Sequence, residues 1–172
     1  KIAGFALGNS PLEYTPEIVT GKSIIFYTTN GSKAIVKAKF SQNLYICSFM
    51  NLAVVAQKLV TMNTDFEVLC SGRNNLYSME DTICAGKLIS EMTTLKEDIE
   101  LTDAAKASVA LSKSFGKNIL KMLKECEHGK ILIDNGFEDD LKFCSKLNTL
   151  ESIPYFSGNV LKLLPNDKNS SK

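Results

Sequence analysis

Three short apolar runs set the limits on what this chain can fold into. Residues 23–28 (SIIFYT), 44–49 (LYICSF) and 66–71 (FEVLCS) are built largely from β-branched, aromatic and sulfur-bearing side chains, as a buried strand requires. Each leads into a polar turn and then into a helical pattern. Ala34, Ile35 and Ala38 follow the first run. Ala53, Val54, Ala56, Leu59 and Val60 form an apolar stripe in 51–62, and Ile83, Cys84, Leu88, Ile89 and Met92 form another in 80–95. Strands of near-continuous apolar character alternating with helices predict a sheet buried on both faces. The expected fold class is therefore α/β, a three-layer α/β/α arrangement around a mixed, partly parallel sheet.

From Leu101 onward the pattern turns mainly helical. Thr102 is a cap for a helix over 103–115 that Gly116 ends. A second helix spans 117–127 and is stopped by His128-Gly129. A turn at 134–136 precedes a charged helix over 138–147, and 153–164 reads as a last extended segment. We expect one domain over 1–165 and a polar, disordered tail over 166–172. The chain opens on Lys1 rather than Met, and IAGFALGNSP reads as mid-domain sequence, so the domain is expected to be amino-terminally incomplete.

Charge and cysteine usage narrow the partners. A formal net charge of +1 over 172 residues lacks the basic surplus that a nucleic-acid backbone calls for. No apolar run approaches the length of a membrane span. The five cysteines, Cys47, Cys70, Cys84, Cys126 and Cys144, are scattered without a CxxC pair, which fits reduced thiols in a cytoplasmic protein.

In an open α/β sheet, chemistry collects beyond the carboxyl ends of the strands. Those ends here are Thr28-Thr29-Asn30-Gly31, residues 48–51 and residues 71–75, all polar. Asn30-Gly31 admits backbone angles closed to bulkier residues, and Ser32 is positioned to cap the following helix. Backbone N–H groups and hydroxyls gathered there would cradle an anion such as phosphate. An ordinary βα connection gives the same pattern. Glu80-Asp81 opens a helix close to the same sheet edge. The pair either simply suits the helix dipole or forms a Mg²⁺ site shared with a substrate phosphate, where the metal would orient the phosphoryl group, offset its charge and activate a water. Arg73, the single arginine, is suited to bidentate contact with phosphate or sulfonate, and is otherwise a solvated turn residue. Ser10 has no base beside it, so a cap or turn role is expected over a nucleophile. His128 is the single histidine, which argues against zinc, and it reads as a helix C-cap. Glu138-Asp139-Asp140 reads as a solvated helix start.

Taken together, GFALGNSPLEYT, GKSIIFYTTNGSKAI, CSGRNNLYSMEDTICAGKLI and NGFEDDLKFCSKLNTLESIPYFSGNVLKLLP resemble the 2-phosphosulfolactate phosphatase family, over nearly the whole chain from Gly4 to Leu164. The resemblance implies a Mg²⁺-dependent phosphatase of α/β fold that acts on a small acidic phosphoester, yields sulfolactate on a route to coenzyme M, and forms a homodimer. Asn9 and Ser10 match the family's NSP, Thr28, Thr29, Asn30 and Gly31 its TTNG, and Glu80 and Asp81 its ED pair, with Ser32 in place of a threonine. On this basis Asn30, Glu80 and Asp81 are the candidate catalytic residues, and Glu80 and Asp81 the candidate Mg²⁺ ligands. Asn9, Ser10, Thr28, Thr29, Asn30, Gly31 and Arg73 are the candidate substrate contacts. Asn75 stands where the family usually has glycine. The family's Asp-x-Leu-Arg-Ala-Thr and Gly-Glu-Arg segments would precede Lys1. A chain without them holds part of a site, and a non-catalytic anion-binding fragment is the alternative reading.

Overall fold

The computed structural model describes residues 3–165, so the tail over 166–172 lies outside the described residues. The molecule is α/β, about half helical. A 3₁₀ turn at Pro11–Glu13 and the short α1 (Pro16–Val19) precede α2 (Gly31–Ala38), α3 (Leu52–Met62), α4 (Met79–Leu95), α5 (Asp103–Phe115), α6 (Ile119–Glu125), α7 (Glu127–Asp134) and α8 (Glu138–Cys144). A hairpin of β1 (Pro154–Ser157) and β2 (Val160–Leu163) closes the described chain.

The core is organised around α4, whose Ile83 and Met92 are among the most deeply buried side chains. One face of α4 packs on α3 through Val55 and Ala56, and another lies against α5. The approach to α5 is close because the facing residues are small. A Cβ on Gly86 would stand 2.0 Å from the Ser108 carbonyl oxygen and 2.9 Å from Ser112 Cβ. The buried hydroxyls of Ser108 and Ser112 donate within their own helix, to Ala105 and Val109, so they bring no unsatisfied donor into the contact. Thr102 caps α5 by accepting from Ala105 N, and Gly116 ends it, as the sequence predicts.

The sheet departs from expectation. Among the described residues the only ladder is the antiparallel β1–β2 pair, extended on one side by a bridge between Tyr45 and Tyr155. Ile46 N donates to Pro154 O and Phe156 N to Leu44 O, each at 2.8 Å, so part of the 44–49 run does lie along a strand. Among the described residues the runs at 23–28 and 66–71 carry no ladder. Apolar, β-branched composition fixes an extended backbone, but pairing needs a neighbour at hydrogen-bonding distance. Among the described residues neither run is laddered to one, and apolar side chains in both stay open, Ile25 at 90% exposure.

The helix expected over 117–127 is two helices. Asn118 caps α6 by accepting from Lys121 N, and the extended backbone of Cys126 (φ −71°, ψ 157°) ends it and turns the chain into α7. His128 and Gly129 therefore lie in the first turn of α7 rather than at a helix end, which corrects the capping role expected for His128. Gly129 makes the tight corner possible: a Cβ there would stand 1.6 Å from the Leu123 carbonyl oxygen. The charged helix expected over 138–147 ends at Cys144. All five cysteines are free thiols, and among the described residues no helix is long and apolar enough to cross a membrane.

Candidate active site

The TTNG turn is held by its first residue. Thr28 Oγ1 accepts from Ser32 N at 2.8 Å, and Ser32 Oγ donates back to Thr28 O at 2.5 Å. Thr28 thus does the capping expected of Ser32, because α2 begins two residues earlier, at Gly31. Asn30 keeps negative φ (−119°), and Gly31 is not among the glycines with positive φ, so the turn does not use left-handed angles. Gly31 instead allows closeness: Thr28 Oγ1 lies 3.1 Å from the place its Cβ would take. Thr29 is exposed beside it.

Asn30 does not cap α2. Its Oδ1 accepts from the backbone N–H of Asn74 at 3.0 Å, joining the first turn to the third across 44 residues. The third turn is a tight one. Arg73 and Leu76 exchange both backbone hydrogen bonds (3.1 and 2.9 Å), and Asn74 (φ 52°) and Asn75 (φ 63°) between them are both left-handed, as a type I′ turn demands. Asparagine tolerates that region better than most residues, so the turn survives at Asn75 without the family's glycine.

The two acids diverge. Neighbouring helical residues do not face each other, and Glu80 and Asp81 follow that rule. Asp81 Oδ2 accepts from Gly72 N at 2.8 Å and from Ser71 Oγ at 3.1 Å, which ties the start of α4 to the third turn. Ser78 caps α4 by accepting from Asp81 N. Glu80 turns toward α7, where His128 Nδ1 stands 3.6 Å from its Oε1. Burial raises the Glu80 carboxyl pKa, but interactions with His128, with its own backbone N–H, with Ser78 and with the Cys126 thiol outweigh burial and hold it at about 2. Burial, chiefly, pushes the Cys126 thiol up. Next to His128, Glu127 pairs with the guanidinium of Arg73.

Asn30, Arg73, Glu80 and Asp81 are thus linked through two turns and the starts of α4 and α7. Beside them Gly31, Ser71 and Asp81 line a cleft of about 970 Å³ that also receives Cys47, Cys70 and Cys84. The remaining candidates lie elsewhere. Asn9 lines a smaller pocket of about 250 Å³ with Tyr14 and Phe26. Ser10 caps the first 3₁₀ turn and donates to the buried carboxylate of Asp140 at 2.6 Å, so it serves as a structural tie, as its lack of a base suggests. Asp140 is correspondingly buried rather than solvated. Glu127, His128 and Asn74 are the site neighbours that sequence reasoning missed. The signal for α7 was Gly129, which reads in sequence as a helix stop and serves in space as a contact.

Among the described residues no three His, Cys, Asp or Glu side chains gather as a ready metal cage. Magnesium does not need one, since it usually takes one or two carboxylates, waters and substrate phosphate. Asp81 is compatible with that pattern, since both side-chain hydrogen bonds it accepts fall on Oδ2.

The family model for 2-phosphosulpholactate phosphatase matches residues 1–159. The chain belongs to the 2-phosphosulfolactate phosphatase family. A probable 2-phosphosulfolactate phosphatase of Clostridium botulinum (strain Eklund 17B / Type B) is 37% identical over 164 residues, covering 95% of this chain and 68% of the relative. One of Symbiobacterium thermophilum is 36% identical over 163 residues, covering 95% and 70%. One of Clostridium perfringens (strain SM101 / Type A) is 38% identical over 162 residues, covering 94% and 65%.

Proposed function

We propose that the protein is a Mg²⁺-dependent phosphatase that hydrolyses a small acidic phosphoester of the 2-phosphosulfolactate kind to sulfolactate and phosphate, as in coenzyme M biosynthesis. Family membership supports the reaction class. The observation that carries the site is the Asn30–Asn74 hydrogen bond, which holds the TTNG turn against the turn bearing Arg73 and tied to Asp81. In this reading Thr28, Thr29 and the N–H group at Gly31 face phosphate oxygens, and Arg73 supplies a bidentate donor to phosphate or sulfonate. Asp81 Oδ1 would hold Mg²⁺, with Glu80 the second acid of the pair. The metal, when bound, offsets charge on the phosphoryl group.

The finer parts of the fold belong to the same proposal. The runs at 23–28, 44–49 and 66–71 are the strands of a mixed sheet within one domain, and the active protein is a cytoplasmic homodimer. Amide protection at 23–27 and 66–70, and a dimer mass in sedimentation, would agree with this; coil-like exchange or a monomer mass would count against it. The site reading is tested by titrating Mg²⁺ into phosphatase assays. Asp81→Asn should raise the Mg²⁺ concentration needed for half activity by about tenfold or more. An unchanged Mg²⁺ requirement would remove Asp81 from the metal site.

A further inference from the structure

We infer that the start of α7 supplies two positioning residues to this site, Glu127 for Arg73 and His128 for Glu80. The inference rests on the reading that Arg73 and Glu80 serve a phosphoester site. Two consecutive residues of one helix reach two candidate site residues that sit on different elements. Glu127 pairs with Arg73 on the third turn, and His128 Nδ1 lies 3.6 Å from Glu80 Oε1 in the first turn of α4. That reach is fixed from behind, since Gly129 seats α7 directly on the Leu123 carbonyl of α6.

Exposure indicates what these contacts do. Glu127 is 82% exposed and His128 48%, whereas their partners Arg73 and Glu80 are 28% and 18% exposed. An exposed ion pair such as Arg73–Glu127 adds little to stability. Their effect is on geometry: each holds a more sheltered partner in one rotamer. The Arg73 contact to Glu127 is made through Nη2, so the guanidinium, with five N–H donors, keeps others for an anion. An arginine already ordered by a carboxylate loses less freedom when it meets a phosphate or sulfonate oxygen. Glu80, with His128 Nδ1 3.6 Å from its Oε1, is likewise held in the first turn of α4.

The test is steady-state kinetics with 2-phosphosulfolactate and saturating Mg²⁺, with thermal unfolding as a check on folding. Glu127→Gln should raise KM about tenfold with kcat little changed, and should add nothing further in an Arg73→Lys background. His128→Ala should lower kcat about tenfold, His128→Asn should restore most of it by returning a donor near the Nδ1 position, and neither should matter once Glu80 is Gln. A merely structural role would shift the unfolding midpoint and leave these couplings at zero. If Arg73→Lys and Glu80→Gln cut kcat/KM while Glu127→Gln and His128→Ala do not, or if the losses simply multiply in the double variants, the inference is overturned and the site reading stands. If Arg73→Lys and Glu80→Gln keep full activity, the site reading fails first, and the inference with it.

Discussion

Asn30 and Asn74 lie 44 residues apart in the chain, and a 3.0 Å hydrogen bond from the Asn74 backbone to the Asn30 side chain holds two turns together. Neither turn alone makes a site. Joined, they bring the TTNG backbone alongside Arg73 and, through Gly72, alongside Asp81.

Removing the acceptor should therefore separate geometry from folding. Asn30→Ala deletes one hydrogen bond at a partly exposed position, which bears on stability by about 1 kcal/mol. Activity should fall by more than tenfold, because misplacing a binding group costs far more in rate than in stability. Thermal unfolding and kcat/KM measured on the same preparation check this; equal losses in both would mean that the contact is structural only.

Gly129→Ala should be among the most damaging single-methyl changes in the molecule. The added Cβ has no room beside the Leu123 carbonyl, so α7 must shift off α6. The expected loss is about 3 kcal/mol, read by denaturant unfolding. A loss below about 1 kcal/mol would show that the corner yields easily.

The turn at residues 73–76 gives a graded prediction. Asn75 has φ 63°, so Asn75→Gly should be tolerated or slightly stabilising, whereas Asn75→Val should cost about 1–2 kcal/mol. Equal unfolding midpoints for the two variants would contradict a left-handed residue there.

Glu80 makes stability depend on acid. Its folded pKa, about 2, lies below the ordinary value of 4.5, so the charged form is favoured by folding. That contribution is fully present above about pH 4.5 and is lost as pH falls toward 2. With allowance for solvent at its exposed edge it amounts to about 2 kcal/mol. Unfolding free energy measured between pH 5 and about 2.5 should fall more steeply for the native protein than for Glu80→Gln. Parallel curves would show that Glu80 is not held in this way.

Helices were the legible part of this sequence. Apolar stripes placed α3 and α4, and the Thr102 cap with the Gly116 stop placed α5, to within a residue or two, because these effects are local. The sheet was less legible. Runs such as 23–28 declare an extended backbone, but a strand's partner is fixed by what lies beside it in space, and composition carries no record of that. The site was legible in its residue types and not in its links. Asn30, Arg73, Glu80 and Asp81 stand out as polar groups at element ends, whereas Ser10 stands out equally and is spent on Asp140. His128 and Glu127 could not be placed because Gly129 reads as a stop, and only packing against Leu123 turns it into a contact.

Phosphate release from 2-phosphosulfolactate, followed with Mg²⁺ present and again after chelation, decides whether this site works as a phosphatase. Saturable release is expected, abolished by chelation, restored by added Mg²⁺ and severely reduced by Asn30→Ala. Saturable binding of 2-phosphosulfolactate with no release at any Mg²⁺ concentration would contradict it, and would leave an anion-binding protein in place of a phosphatase.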